Sequence, residues 1–105
     1  MLNFIETFKD EEYVDYDIML NEKLIGAVQL VISDNIFIRH VRVNKQYRRL
    51  GYGTKIIDSI FKKYNKPIKL CISTISQSAS PFWNKYFLTC KKVNNIRGNI
   101  YEIEI

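Results

Sequence analysis

The stretch Arg48-Arg49-Leu50-Gly51-Tyr52-Gly53 carries residue types that can hold an anion. Two glycines one residue apart remove the side chains that would keep a ligand off the backbone. A helix starting beside them offers N–H groups with no intrahelical partner, at the positive end of its dipole. Arg48 and Arg49 add positive charge at the same place. Phosphate or pyrophosphate is the ligand such a stretch suits.

Two familiar phosphate loops do not fit. A P-loop ends in Gly-Lys-Ser/Thr, whereas Gly53 is followed by Thr54-Lys55. A dinucleotide fingerprint needs a third glycine where Ile56 stands. A glycine-bearing turn ahead of an ordinary helix is the plainer reading of these six residues taken alone.

The elements around the stretch must position it. Ile36 to Val43 precedes it and reads as a strand, and Thr54 to Tyr64 follows it and reads as a helix. Ile56, Ile57, Ile60, Phe61 and Tyr64 form one apolar stripe, with Lys55, Asp58, Lys62 and Lys63 on the outer face. Lys62 and Lys63 suit the negative end of the helix, which Asn65-Lys66-Pro67 ends. Upstream, Tyr13 to Leu20 and Leu24 to Ile32 are two further strands, joined at Asn21-Glu22-Lys23, with Ser33-Asp34-Asn35 turning into the third. Together they predict an antiparallel meander of three strands; Met1 to Glu12 has no clear form. In the third strand Ile36 and Ile38 share one face, but Val41 and Val43 lie on the other. A bulge at Arg39-His40 produces such a switch, and so does a strand buried on both faces.

Beyond the helix, Ile68, Leu70 and Ile72 alternate with Lys69, Cys71 and Ser73 as a fourth strand. Strand, helix and strand at this length imply a parallel pair with a right-handed crossover, and a ligand beyond the carboxyl ends of the strands. A polar loop, Ser76 to Ser80, leads to a short helix over 81–87 with Pro81 in its first turn. Leu88 to Val93 and Ile100 to Ile105 read as a hairpin turning through Asn94 to Asn99. The expected architecture is α/β (α+β): a mixed, mainly antiparallel sheet with a parallel strand pair after the phosphate loop, in one domain over 1–105.

Arg48, Gly51 and Gly53 stand at the defined places of Gln/Arg-x-x-Gly-x-Gly/Ala, and the stretch resembles the pyrophosphate loop of the GNAT N-acetyltransferase superfamily. Ala79-x-x-Phe82-Trp83-x-Lys85 resembles a second motif of that family, Ala-x-x-Phe-Tyr/Trp-x-Lys-x-Gly-Phe, at the expected distance after the fourth strand. The resemblance covers about residues 13 to 105. It implies an acyl-CoA N-acyltransferase fold and an acetyl-CoA-dependent N-acetyltransferase that uses acetyl-CoA as co-substrate. The acceptor would be a primary amine, either a small molecule or a protein lysine or N-terminus, attacking directly in a ternary complex. It further implies that Val41, Arg42 and Val43 pair with the pantetheine arm. Arg48, Arg49, Leu50, Gly51, Tyr52, Gly53 and Thr54 would hold the pyrophosphate, and Ser76 stands where an Asn often contacts pantetheine.

The departures are specific. Phe87 replaces a Gly, and Trp83 replaces the Tyr that in many members protonates the leaving thiolate; an indole N–H is too poor an acid for that. Tyr86 is a substitute acid or, more simply, a core residue. The start of the chain is short for the helical pair that usually covers the acceptor site. His40, the sole histidine, is the candidate base, and neighbouring Arg39 and Arg42 favour the neutral imidazole a base requires. A surface or structural histidine is its plainer reading, and Glu12, Asp15 and Asp17 are alternative bases or an acidic lip that attracts a cationic amine. A CoA-binding or protein-interaction module on the same scaffold, with weak or lost catalysis, is the second function class.

Composition sets the outer bounds. With 105 residues, 47% of them hydrophobic, one domain can bury roughly 65% of its unfolded surface. No apolar run reaches a membrane span and the start lacks a signal-peptide pattern, so a cytoplasmic protein is expected, with Cys71 and Cys90 as reduced core thiols. No His/Cys/Asp cluster argues for a metal. Seven acids stand between Glu6 and Glu22 against Lys9 alone, and ten Lys or Arg between Arg39 and Lys69 against Asp58 alone. A solvated basic face explains the second run, and so does an anionic cofactor at the loop it flanks. Nucleic acid ranks below both, because the aromatics fall on core stripes rather than among the exposed bases. An oligomer is compatible with all of this.

Overall fold

A computed structural model describes residues 2–65, 68–71, 80–97 and 100–104. Strands β1 (Leu2–Lys9), β2 (Tyr13–Leu20), β3 (Lys23–Ile32) and β4 (Ile36–Val43) run antiparallel in sequence order. A short 3-10 turn (Lys45–Tyr47) and helix α1 (Tyr52–Tyr64) lead to β5 (Ile68–Cys71), which lies parallel to β4. Helix α2 (Ser80–Phe87) then precedes β6 (Lys92–Arg97) and β7 (Ile100–Glu104). The sheet order is β1-β2-β3-β4-β5-β7-β6.

Three features differ from the sequence expectations. The stretch Met1 to Glu12, which has no clear form in the sequence, supplies β1, so the meander has four strands. Its pattern was hidden because Thr7 is an extra residue between Glu6, opposite Tyr16, and Phe8, opposite Asp15. The last hairpin begins later than expected: Leu88, Thr89 and Cys90 donate backbone N–H to Lys85, Tyr86 and Phe87, closing α2 rather than opening β6. Asn94 and Asn95 are accordingly paired strand residues, opposite Glu102 and Tyr101, rather than turn residues. Ile72, Ser73 and the loop expected at Ser76 to Ala79 lie outside the described residues.

Alternation decides which face is dry. Val14, Tyr16 and Ile18 of β2, Val28 and Leu30 of β3, and Ile36 and Ile38 of β4 are buried with Ile56, Ile57 and Ile60 of α1. Trp83 and Tyr86 of α2 join the same cluster, so both helices lie on one side of the sheet. The far end of α1 is tied to β2 by the Tyr16 and Tyr64 hydroxyls, 2.7 Å apart. Among the described residues, no helix is long and apolar enough to cross a membrane.

Candidate active site at the end of strand β4

Strand β4 carries one more residue than the strand beside it. Gln29 faces His40 while the adjacent Leu30 faces Ile38, leaving Arg39 unopposed. The parity switch is therefore a bulge, and the alternative of a strand buried on both faces drops out: Val41 and Val43 pack toward the core, while His40 and Arg42 are exposed. Arg39 reaches over Tyr13, its guanidinium carbon 5.7 Å from the ring centre and Nη1 donating to the hydroxyl at 3.5 Å.

The described pairing to β5 reaches up to the bulge. Ile36, Phe37 and Ile38 face Ile68, Lys69 and Leu70, and no described residue pairs with β4 on that side beyond Ile38. Successive strand residues turn their N–H and C=O to opposite edges. Asn44 donates its N–H to Ile25 O at 2.7 Å, so Asn44 and Arg42 face β3. Val41 and Val43 consequently turn their backbone groups to the opposite edge. Arg42, expected with them, presents only its exposed side chain, because its backbone is turned to β3.

From Val43 the chain is fixed into a cradle. Asn44 Nδ2 donates to Leu24 O at 2.9 Å, Tyr47 N–H to Asn44 O at 2.8 Å, and Arg48 Nε to Val43 O at 2.8 Å. Arg48 thereby closes the loop onto the strand, a role its motif position did not reveal. Arg49 (φ 64°) and Gly51 (φ 84°) both adopt the left-handed conformation. Such residues alternating with ordinary ones turn successive N–H groups to one side, which suits an anion. Helix α1 then begins at Tyr52 with Gly51 as its cap and no side-chain cap bond; its first intrahelical bond runs from Lys55 N–H to Gly51 O, 3.2 Å. The first-turn amides of Tyr52, Gly53 and Thr54 are left to a ligand or water. Leu50 is exposed and Tyr52 is half-buried against Tyr47.

The two glycines have different jobs. A Cβ at Gly51 would stand in open space, so that position is glycine for its backbone angle and leaves the cradle clear. A Cβ at Gly53 would come within 2.7 Å of Phe82 Cε1, so that glycine lets α2 approach α1. At Gly53 the missing side chain makes room for Phe82, while its backbone N–H stays among the first-turn amides without an intrahelical partner.

Helix α2 contributes packing rather than acid chemistry. Trp83 is 7% exposed and packed among Phe82, Tyr86 and Phe87. Tyr86 is 3% exposed and donates its hydroxyl to Asp58 Oδ1 at 2.9 Å. Burial, reinforced by the bond to Asp58, pushes the phenol well above its ordinary value, so Tyr86 is a link between helices rather than the substitute acid. Cys90, a half-buried free thiol, is also pushed up by burial and then by Asp58. Ser76 lies outside the described residues.

Residues 2–87 match the model of the acetyltransferase (GNAT) family. The chain belongs to the GNAT acetyltransferase family. Its fold is similar to that of the E. coli protein YhhK, described as an N-acetyl transferase and solved bound to coenzyme A (TM-score 0.73, 15% identity, 94% of this chain and 77% of that one). It is also similar to a Bacillus anthracis protein described as a streptothricin acetyltransferase, solved with acetyl coenzyme A (0.61, 20%, 91% and 62%). The PaiA N-acetyltransferase of Thermoplasma acidophilum, solved with coenzyme A, is a third (0.60, 16%, 88% and 59%). At these identities the likeness is one of fold, and the chain spans less than two thirds of the last two proteins. Curated protein sequences give no significant match.

The helix contact yields a test within this GNAT domain. Gly53→Ala should cost about 1–3 kcal/mol through overpacking against Phe82, read as a lower urea midpoint with an unchanged slope. Phe82→Leu in the same chain should recover part of that loss. Additive costs in the double variant would show that Gly53 does not space the helices.

Proposed function

We propose that this protein is an acetyl-CoA-dependent N-acetyltransferase acting on a primary amine. One observation carries the proposal: the uncapped start of α1 belongs to the loop that Arg48 fastens to Val43, at the end of the β4 segment whose Val41 and Val43 turn away from β3. A phosphate cradle and a strand edge at one place match the two ends of a pantetheine nucleotide, which needs an anion site and backbone partners for its amides. The residues fit that ligand, since Gly51 leaves the cradle open and Val41 and Val43 turn N–H groups outward. The coenzyme-bound state of similar folds supports the same assignment.

Acetyl-CoA supplies a thioester: the amine nitrogen bonds to the acyl carbon, the C–S bond breaks, and the thiol leaves with a proton equivalent to the one the amine loses. The first-turn amides and Arg49 would hold the pyrophosphate, with Arg48 fixing the loop. Val41 and Val43 would align the pantetheine arm, and Val41 N–H would donate to the carbonyl oxygen as negative charge develops there. His40, exposed one residue past the bulge, would take the proton of the attacking amine.

A second reading has its own observation. Trp83 replaces the usual acid and the Tyr86 hydroxyl is committed to Asp58, so α2 offers no proton to the leaving thiol. A CoA-binding module with weak catalysis would bind acetyl-CoA yet release no CoA in the presence of amines. Mass spectrometry of an amine and peptide panel separates the two.

Two outcomes are expected. Saturating acetyl-CoA, at a hundredfold excess over Kd, should stabilise the protein by about 2.7 kcal/mol in thermal melts. Gly51→Asp should weaken that binding at least tenfold, while Gly51→Asn, which tolerates the same backbone angle without the charge, should lose less. Equal losses would mean that no phosphate sits there. His40→Ala should lower kcat/KM about a hundredfold or more with little change in acetyl-CoA affinity; wild-type turnover would remove His40 from the mechanism.

A further inference from the structure

The sheet face opposite the helices is covered by none of the described elements. Strand β1 passes into β2 through Asp10-Glu11-Glu12 alone, with Asp10 Oδ1 accepting the N–H groups of Tyr13 (2.7 Å) and Glu12 (2.9 Å). Strand register lays out what that face presents. One row runs Phe8–Asp15–Gln29–His40, and the next runs Ile5–Asp17–Ala27–Arg42. Ile5 and Phe8 are about half exposed, at 51% and 52%. Asp15 Oδ1 is shielded from solvent yet has no hydrogen-bond partner among the described residues. A buried acceptor left unmatched is costly, and a donor from outside the chain would satisfy it.

The charge on this face changes sign along the rows. Asp15 and Asp17 stand on β2, with Asp10, Glu11 and Glu12 lining a shallow depression at the adjacent turn. His40 and Arg42 stand on β4, with Arg39 held toward Tyr13. A cationic partner is drawn to the β1–β2 half. An ammonium group moving along the row meets the arginines at the bulge, which favour loss of its proton. Adjacent strands are about 4.8 Å apart, so Asp15 and His40 are separated by about 10 Å. A small amine is held by a concave site that buries most of its surface, whereas a broad uncovered face suits a longer partner that makes many contacts.

We propose, resting on the acetyltransferase reading above, that the acceptor is an extended basic protein segment. It lies across the Phe8–Asp15–Gln29–His40 row, and its lysine or N-terminal amine is the group acetylated. Asp15 and Asp17 hold the cationic segment and Phe8 packs against its apolar atoms. They are positioning residues, and the acetyl-CoA cradle lies outside the contact.

The test uses the full chain and a fluorescent peptide of alternating lysine and alanine, titrated by anisotropy. Asp15→Asn combined with Asp17→Asn should weaken peptide binding at least tenfold and leave the acetyl-CoA thermal shift unchanged. Phe8→Ser, at an exposed position, should also weaken it, and mass spectrometry should find acetyl groups on the peptide. An alternating glutamate–alanine peptide should not bind. Failure of the wild-type chain to bind the lysine peptide, or equal affinity in the variants, overturns the proposal. So does a dimer in sedimentation that Phe8→Ser dissolves, since the occupant of the face is then a second copy. Peptide binding as expected with no acetyl-CoA shift would leave the docking face standing and sink the acetyltransferase reading instead.

Discussion

The extra residue at Arg39 is the constraint from which the site follows. Strand β4 stays paired to β3 over its whole length, because Gly26 to Ile32 supply partners from Val43 back to Ile36. The bulge bends the strand and increases its twist where the described pairing to β5 ends. Among the described residues pairing to β5 ends at Ile38, and Val41 and Val43 turn their N–H groups away from β3. Within a sheet, unpaired N–H and C=O groups are a liability. Here the Val43 carbonyl is taken by Arg48, and under the proposed function the Val41 and Val43 N–H groups would pair with the pantetheine arm. Gly26 is part of the same constraint: a side chain there would run into the Arg42 carbonyl, so the tight β3–β4 contact needs glycine opposite Val43.

The cradle depends on that strand being fixed. Arg48 joins loop to strand through the Val43 carbonyl, and Asn44 joins both to β3 through Ile25 and Leu24. With the loop held at both ends, the left-handed turns at Arg49 and Gly51 are imposed by the surroundings rather than sampled. An anion arriving at the first turn of α1 therefore meets N–H groups already oriented. Behind the cradle, Phe82 against Gly53 and the Tyr86–Asp58 hydrogen bond hold α2 to α1. The aromatic helix thus supports the site mechanically while supplying no acid to it.

Much of this was legible in the sequence, because the elements around the loop are strongly periodic. The stripe Ile56, Ile57, Ile60 marks α1 and alternation marks β2 and β3, whereas the parity switch between Ile38 and Val41 fits a bulge or two-sided burial until the register decides for the bulge. What was illegible depends on contacts distant in sequence. That Gly53 also spaces the helices shows only once Phe82 is placed beside it, and Tyr86 looks available until Asp58 is found in reach. Arg48 and Arg49 look alike, yet one closes the loop and the other turns it. Strand β1 has no clear sequence pattern because it is an edge strand with its own bulge at Thr7, which breaks the alternation of its apolar residues. The start of β6 is not legible in the sequence, because Leu88 to Cys90 have strand-like composition but close the end of a helix.

Amide hydrogen exchange on β4, followed residue by residue with and without acetyl-CoA, tests the central claim most directly. In the free protein the N–H groups of Arg42 and Asn44, turned to β3, should exchange slowly, while those of Val41 and Val43 exchange quickly. Saturating acetyl-CoA should slow Val41 and Val43 and leave Arg42 and Asn44 as they were. Protection of Val41 and Val43 without ligand, or no change on adding it, would contradict the account: β4 would not be the strip along which the coenzyme lies.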